Sequence, residues 1–126
     1  MPHSDEKLAL VIDDEEDIRE IIGVVMEEMG FRCETAHNGQ VGLEKALSLR
    51  PSLVLVDWNL PLMSGVDIIR KLRANPETAK IPTLILTGEV RPDSIKEALD
   101  AGAWGHIAKP FEPDDLIRAV EAILST

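Results

Sequence analysis

The chain has 126 residues, 44% hydrophobic and 29% charged, which describes one globular domain and not a disordered segment. Its 23 acidic residues outweigh 13 basic ones for a formal net charge of -10, which argues against direct contact with nucleic acid or an anionic membrane. Cys33 is the only cysteine, which excludes an internal disulfide and a multi-cysteine zinc site. The polar first residues lack the apolar stretch of a signal peptide and no apolar run nears the roughly 20 residues of a membrane span, so the expected compartment is the cytoplasm.

Short apolar runs alternate with segments of helical period. Leu8 to Ile12 predicts a buried strand that stops abruptly at Asp13-Asp14-Glu15-Glu16. Ile18, Ile21, Ile22, Val25 and Met29 then form the stripe of an amphipathic helix, which Gly30 ends. Phe31 to Ala36 alternates as a half-exposed edge strand does. A helix from about Gln40 to Leu49 is expected to bury Leu43, Ala46 and Leu47 before Pro51 stops it. Leu53 to Val56 is continuously apolar, as a central parallel strand should be, and it too ends in a carboxylate, Asp57. Beyond a loop holding Pro61 and Gly65, Val66, Ile69 and Leu72 mark a third helix. Thr83 to Leu86 is another buried strand, followed by Thr87-Gly88. Asp93 to Ala101 predicts a fourth helix with a thin apolar face of Ile95, Ala98 and Leu99. Gly105 to Ala108 is a short last strand ending at Lys109-Pro110, and Pro113 to Leu124 a fifth helix buried through Leu116, Ile117, Val120 and Ile123.

Five strand–helix units with no linker or repeat predict a single α/β domain over 1–126, core about 8–124, with a doubly wound parallel sheet and helices on both faces. Ligands of such sheets sit at the carboxyl ends of the strands. Those ends hold Asp13-Asp14, Asp57, Thr87 and Lys109. If the first and third strands are neighbours, three carboxylates converge there. Two carboxylates about 5 Å apart repel by about 3 kcal/mol at an effective dielectric of about 20. Such a cluster takes up a proton or recruits a cation, and oxygen-only donors suit magnesium. Lys109 adds a point charge and Thr87 a hydroxyl, which together make a place for phosphoryl transfer onto a carboxylate. Taken singly, Asp13 or Asp14 reads equally well as a cap of the helix that begins near Glu16, and Lys109 as a solvated side chain. Their occurrence as an ordered set at strand ends favours a site.

The motifs Val11-Ile12-Asp13-Asp14-Glu15, Asp57-Trp58-Asn59-Leu60-Pro61 with Met63 and Gly65, Thr87-Gly88, and Ala101-Gly102-Ala103 leading to Lys109-Pro110-Phe111 resemble the receiver domain of two-component response regulators. The resemblance runs from about Leu8 to Ile123. It implies a flavodoxin-like sheet of order 2-1-3-4-5 with five flanking helices. It implies that Asp57 accepts a phosphoryl group from the phosphohistidine of a sensor kinase or histidine phosphotransfer protein. Magnesium (or manganese) would be ligated by Asp14, Asp57 and the backbone carbonyl of Asn59, with Asp13 acting mainly through water. Lys109 and Thr87 would bind the phosphoryl group, and Asn59 and Glu89 would tune its loss. The Lys109–Pro110 peptide is commonly cis in the family. The family signals through the face formed by the fourth helix, fifth strand and fifth helix, toward a downstream protein, an output domain or a second copy. The domain would catalyse nothing beyond its own dephosphorylation, and would be either a stand-alone regulator or part of a longer one.

One departure is His106, which stands where the family carries a Tyr or Phe switch residue; it reads either as part of the switch or as an exposed edge-strand histidine. Trp104 is expected on the surface, Ser64 as a helix cap, Cys33 as a packing residue, and Glu15-Glu16 and Glu27-Glu28 as solvated helix faces. His3 and His37 suggest no metal site. Three rival readings remain on the same fold. A flavin module needs amides where this chain has Asp13-Asp14-Glu15-Glu16. An aspartyl phosphatase needs a further general acid, and a pseudo-receiver would have lost the strand-end set.

Overall fold

Alternation along the strands decides which helices cover each face of the sheet. The computed structural model describes residues 7–88 and 91–125. Its elements in chain order are β1 (Leu8–Ile12), α1 (Glu16–Glu28), β2 (Arg32–Ala36), α2 (Gly39–Leu49), β3 (Leu53–Asp57), α3 (Gly65–Ala74), β4 (Thr83–Thr87), α4 (Pro92–Ala101), β5 (Gly105–Ala108) and α5 (Pro113–Leu124). The sheet has the order β2-β1-β3-β4-β5 and every pair is parallel. Ala9, Val11, Leu53, Leu55, Leu84, Leu86 and Ile107 face one way and pack with α1 and α5 residues such as Ile22, Met26, Leu116 and Val120. Leu10, Ile12, Val54, Val56 and Ile85 face the other way, against α2, α3 and Ala98 of α4. The three central strands are buried along their whole length, which is why they read as unbroken apolar runs.

Element identity and order agree with the sequence expectation, and the bounds differ by a residue or two. Phe31 precedes β2 instead of opening it: its N–H bonds to the Met26 carbonyl at 2.9 Å, so it closes the turn after α1. Gly30 sits at φ 93°, the left-handed conformation that a helix stop calls for. Three leucine and isoleucine positions expected inside are outside: Ile21 is 45%, Leu47 41% and Leu99 47% exposed. On α2 the inner stripe is Gly39, Gly42 and Ala46, small enough to let the helix settle onto Ile12, and this turns Leu47 outward. On α1 the buried line is Ile22, Val25 and Met26, and Ile21 lies beside it. Of α4 only Ala98 is buried, so that helix is held by the least apolar surface of the five.

Arg73, near the end of α3, ties that helix to the turn after α4. Its Nε and Nη2 donate to the Gly102 carbonyl at 3.1 and 2.7 Å, and Nη2 also reaches the Thr83 hydroxyl at 3.0 Å. Among the described residues no helix is long and apolar enough to cross a membrane.

Candidate functional site

Three strand ends meet at the carboxyl edge of the sheet. Where β1 stops, the Asp13 N–H donates to the Ala36 carbonyl at 3.1 Å and keeps the chain beside β2 for one more residue. Asp13 Oδ1 then accepts the Glu15 N–H at 2.8 Å, closing a tight turn into α1, and the Asp13 carbonyl accepts Arg19 Nη1 at 2.8 Å. The backbone of Asp13 is thus held on both sides and its side chain by the Glu15 N–H. Asp57 ends β3 opposite Leu86. The next N–H groups secure it: Trp58 N–H donates to the Leu86 carbonyl at 2.8 Å, and Asn59 N–H approaches Asp57 Oδ1 at 3.4 Å. Gly65 closes the following loop with an N–H bond to the Trp58 carbonyl, and a β-carbon there would run into the Asp57 carbonyl. Ser64 caps α3 by accepting the Asp67 N–H, as expected. On the far side, the Lys109 N–H donates to the Thr87 carbonyl at 2.8 Å, and the Lys109–Pro110 peptide is cis.

Asp13, Asp14 and Asp57 each bring a carboxylate oxygen within 4.8 Å of the others; Asp13 and Asp57 are buried and Asp14 is exposed. Lys109 Nζ lies 2.9 Å from Asp13 Oδ2, 3.3 Å from Glu15 Oε2 and 3.4 Å from Asp57 Oδ2. Burial first, and the Asp13 charge second, raise the Asp57 carboxyl to about 6, with Lys109 and the Asn59 N–H only partly offsetting them. Burial alone would pull the Lys109 ammonium down. The hydrogen bond to Asp13 and the charges of Asp57 and Asp13 outweigh it and hold the ammonium above its ordinary value. The cluster is therefore charged and only partly neutralised by protein groups. Each Asp13 oxygen already accepts a hydrogen bond and both Asp57 oxygens have longer contacts, at 3.4 Å, whereas Asp14 faces solvent, and together the three carboxylates could hold a hard cation.

Neither Asp13 nor Asp14 caps α1. The N-cap is Glu15, whose side chain makes no capping bond. Glu15 is also not the purely solvated residue the sequence suggested, because its carboxylate reaches Lys109. The sequence signal available for it was only a third acid in a row. Thr87 is buried at the end of β4, and Asn59 is exposed beside Asp57. His106 is half-buried on β5 opposite Ile85, in a groove with Trp104 and Ile123, and Trp104 is exposed as expected. Glu89 and His3 lie outside the described residues. Cys33 is half-buried against the core, and burial followed by the Glu27 and Glu34 charges raises its thiol to about 11, which fits a packing role.

The sequence model of the response regulator receiver domain matches residues 9–121. The phosphate regulon transcriptional regulatory protein PhoB of Pseudomonas aeruginosa is 37% identical over 118 residues, 94% of this chain and 52% of that protein. The chemotaxis protein CheY of the same organism is 34% identical over 115 residues, 90% of this chain and 93% of that protein. The chain thus spans about half of the PhoB relative and nearly all of CheY. Among solved structures, the chemotaxis response regulator CheY4 of Vibrio cholerae superposes with a TM-score of 0.89 at 30% identity, covering 94% of this chain and 98% of that one.

Proposed function

The chain belongs to the response regulator receiver domain family, and from that premise we propose that Asp57 is its phosphoacceptor. The observation that carries the reading is the Lys109 ammonium lying within 3.4 Å of both buried carboxylates, Asp13 and Asp57, at the edge where Asp14 completes the cluster. A carboxyl group raised to about 6 is ionised at neutral pH yet more basic than an ordinary aspartate, which suits a nucleophile. An Asp57 oxygen forms the new bond to phosphorus as the phosphorus–nitrogen bond of a donor phosphohistidine breaks, and the imidazole leaves. Lys109 meets the phosphoryl charge as a positioned point donor, and the Thr87 hydroxyl donates to a phosphoryl oxygen. The oxygen-only donor set of Asp13, Asp14 and Asp57 fits magnesium or manganese, which Asp14, Asp57 and the Asn59 carbonyl would hold, with Asp13 acting through water. Such an ion, when bound, neutralises negative charge on the phosphoryl oxygens.

The new group carries about −1.5 to −2 charge, which draws Thr87 and Lys109 toward Asp57 and shifts the loops that hold them. With only Ala98 buried, α4 is the helix that follows most cheaply, and His106 on neighbouring β5 responds with it. The output is then a changed α4–β5–α5 face, offered to a downstream protein, an output domain or a second copy. Asn59 and Glu89 orient water for the return step, the only turnover the domain performs. The donor is a histidine kinase or histidine phosphotransfer protein of the cytoplasm.

The test is intact-protein mass spectrometry after treatment with acetyl phosphate and magnesium. Wild type gains one phosphoryl group, and Asp57→Asn gains none. An equal adduct on both proteins overturns the assignment.

A further inference from the structure

We propose that Glu15 is a positioning residue of this site, a releasable anchor that holds the Lys109 ammonium on the β1 side until a phosphoryl group arrives on Asp57. The proposal rests on Asp57 being the acceptor. An ammonium has three donors, and three carboxylates surround this one. Asp57 makes the longest of the three contacts, at 3.4 Å.

The other two anchors differ in kind. The Asp13 side chain is fully buried and fixed by the Glu15 N–H as well as by Lys109, so its bond to the lysine is costly to break. The Glu15 side chain is 60% exposed, and its carboxylate is rehydrated at once when the lysine leaves. A phosphoryl oxygen that claims one donor of Lys109 therefore takes the one now spent on Glu15.

The local structure supports this use of the side chain. Glu15 occupies the N-cap of α1 in extended backbone, φ −95° and ψ 119°, where Asp, Asn, Ser or Thr would satisfy a free helix amide. Its carboxylate caps nothing and instead crosses to a lysine 94 residues away in the chain.

The experiment compares wild type with Glu15→Gln, Glu15→Asp and the control Glu16→Gln by two readouts. One is the rate of phosphorylation by acetyl phosphate at saturating magnesium, in which the Asp57 oxygen bonds to phosphorus and acetate leaves. The other is the NMR titration of the Lys109 Cε signal in metal-free protein. Glu15→Gln and Glu15→Asp are both expected to react about 1.5- to fivefold faster, the range that an exposed ion pair spans. Their Lys109 pKa is expected to fall, because one of the three carboxylates around the ammonium has been withdrawn. Glu15→Asp keeps the charge and loses the reach, so it separates contact from distant charge, while Glu16→Gln should match wild type. Glu15→Asp behaving as wild type in both readouts, or Glu16→Gln matching Glu15→Gln, overturns the proposal. A wild type that takes up no phosphoryl group overturns the acceptor reading, and the Lys109 titration still decides the contact.

Discussion

Removing the Asp57 charge should make the metal-free domain more stable at neutral pH. Burial, with the Asp13 charge added, lifts this carboxyl from 3.8 to about 6. The folded value lies above the unfolded one, so the resulting stability is fully present below about pH 3.8 and is lost as pH rises through about 6. Above that range an ionised Asp57 costs the fold. Roughly two pH units correspond to about 3 kcal/mol. Solvent reaches the cluster on the side of Asp14, so the expected cost is about half of that, 1 to 2 kcal/mol. Asp57→Asn keeps the shape and discards the charge. Its melting temperature in EDTA at pH 8 should exceed that of wild type by about 3 to 8 °C for a domain of this size. The gap should close as the pH is lowered toward 4. Saturating magnesium should also narrow it by stabilising wild type alone. Circular dichroism melts at pH 8, 7, 6, 5 and 4 supply the test. An Asp57→Asn protein less stable than wild type at pH 8, or a gap that does not change with pH, would refute the reasoning.

Three further substitutions probe the supports of the site. Gly65→Ala places a β-carbon against the Asp57 carbonyl and should cost more than about 2 kcal/mol in urea unfolding, together with slower phosphorylation. Leu62 is wholly exposed at φ 71°, a left-handed conformation that Asn tolerates far better than Leu, so Leu62→Asn should raise stability by up to about 1 kcal/mol in the same assay. Arg73→Met removes the donors that bind the Gly102 carbonyl and the Thr83 hydroxyl; it should cost about 1 to 3 kcal/mol and speed amide exchange in the turn after α4.

Most of the fold was legible because central parallel strands advertise themselves as apolar runs, and each here stops at a residue whose chemistry differs from the run. Asp13, Asp57 and Thr87 could be picked out for that reason, and Lys109 as the residue that follows the short edge strand β5. That Asp13, Asp57 and Lys109 share one edge follows from strand order, which the motif resemblance implied and the parallel ladders of β1, β3, β4 and β5 bear out. What periodicity misjudged were the widths of helix faces. Small Gly39, Gly42 and Ala46 line the inner side of α2 and displace Leu47, a choice made by how closely that helix approaches Ile12. The contacts of Glu15 with Lys109 and of Arg73 with Gly102 join residues 94 and 29 positions apart, and no local pattern encodes them.

Covalent trapping at a single position tests the central claim most directly. After phosphorylation by acetyl phosphate with magnesium, borohydride reduction converts an aspartyl phosphate to homoserine, which peptide sequencing then locates. The label is expected at Asp57 alone. Label at Asp13 or Asp14 would contradict the account, and so would a fully folded protein with no label.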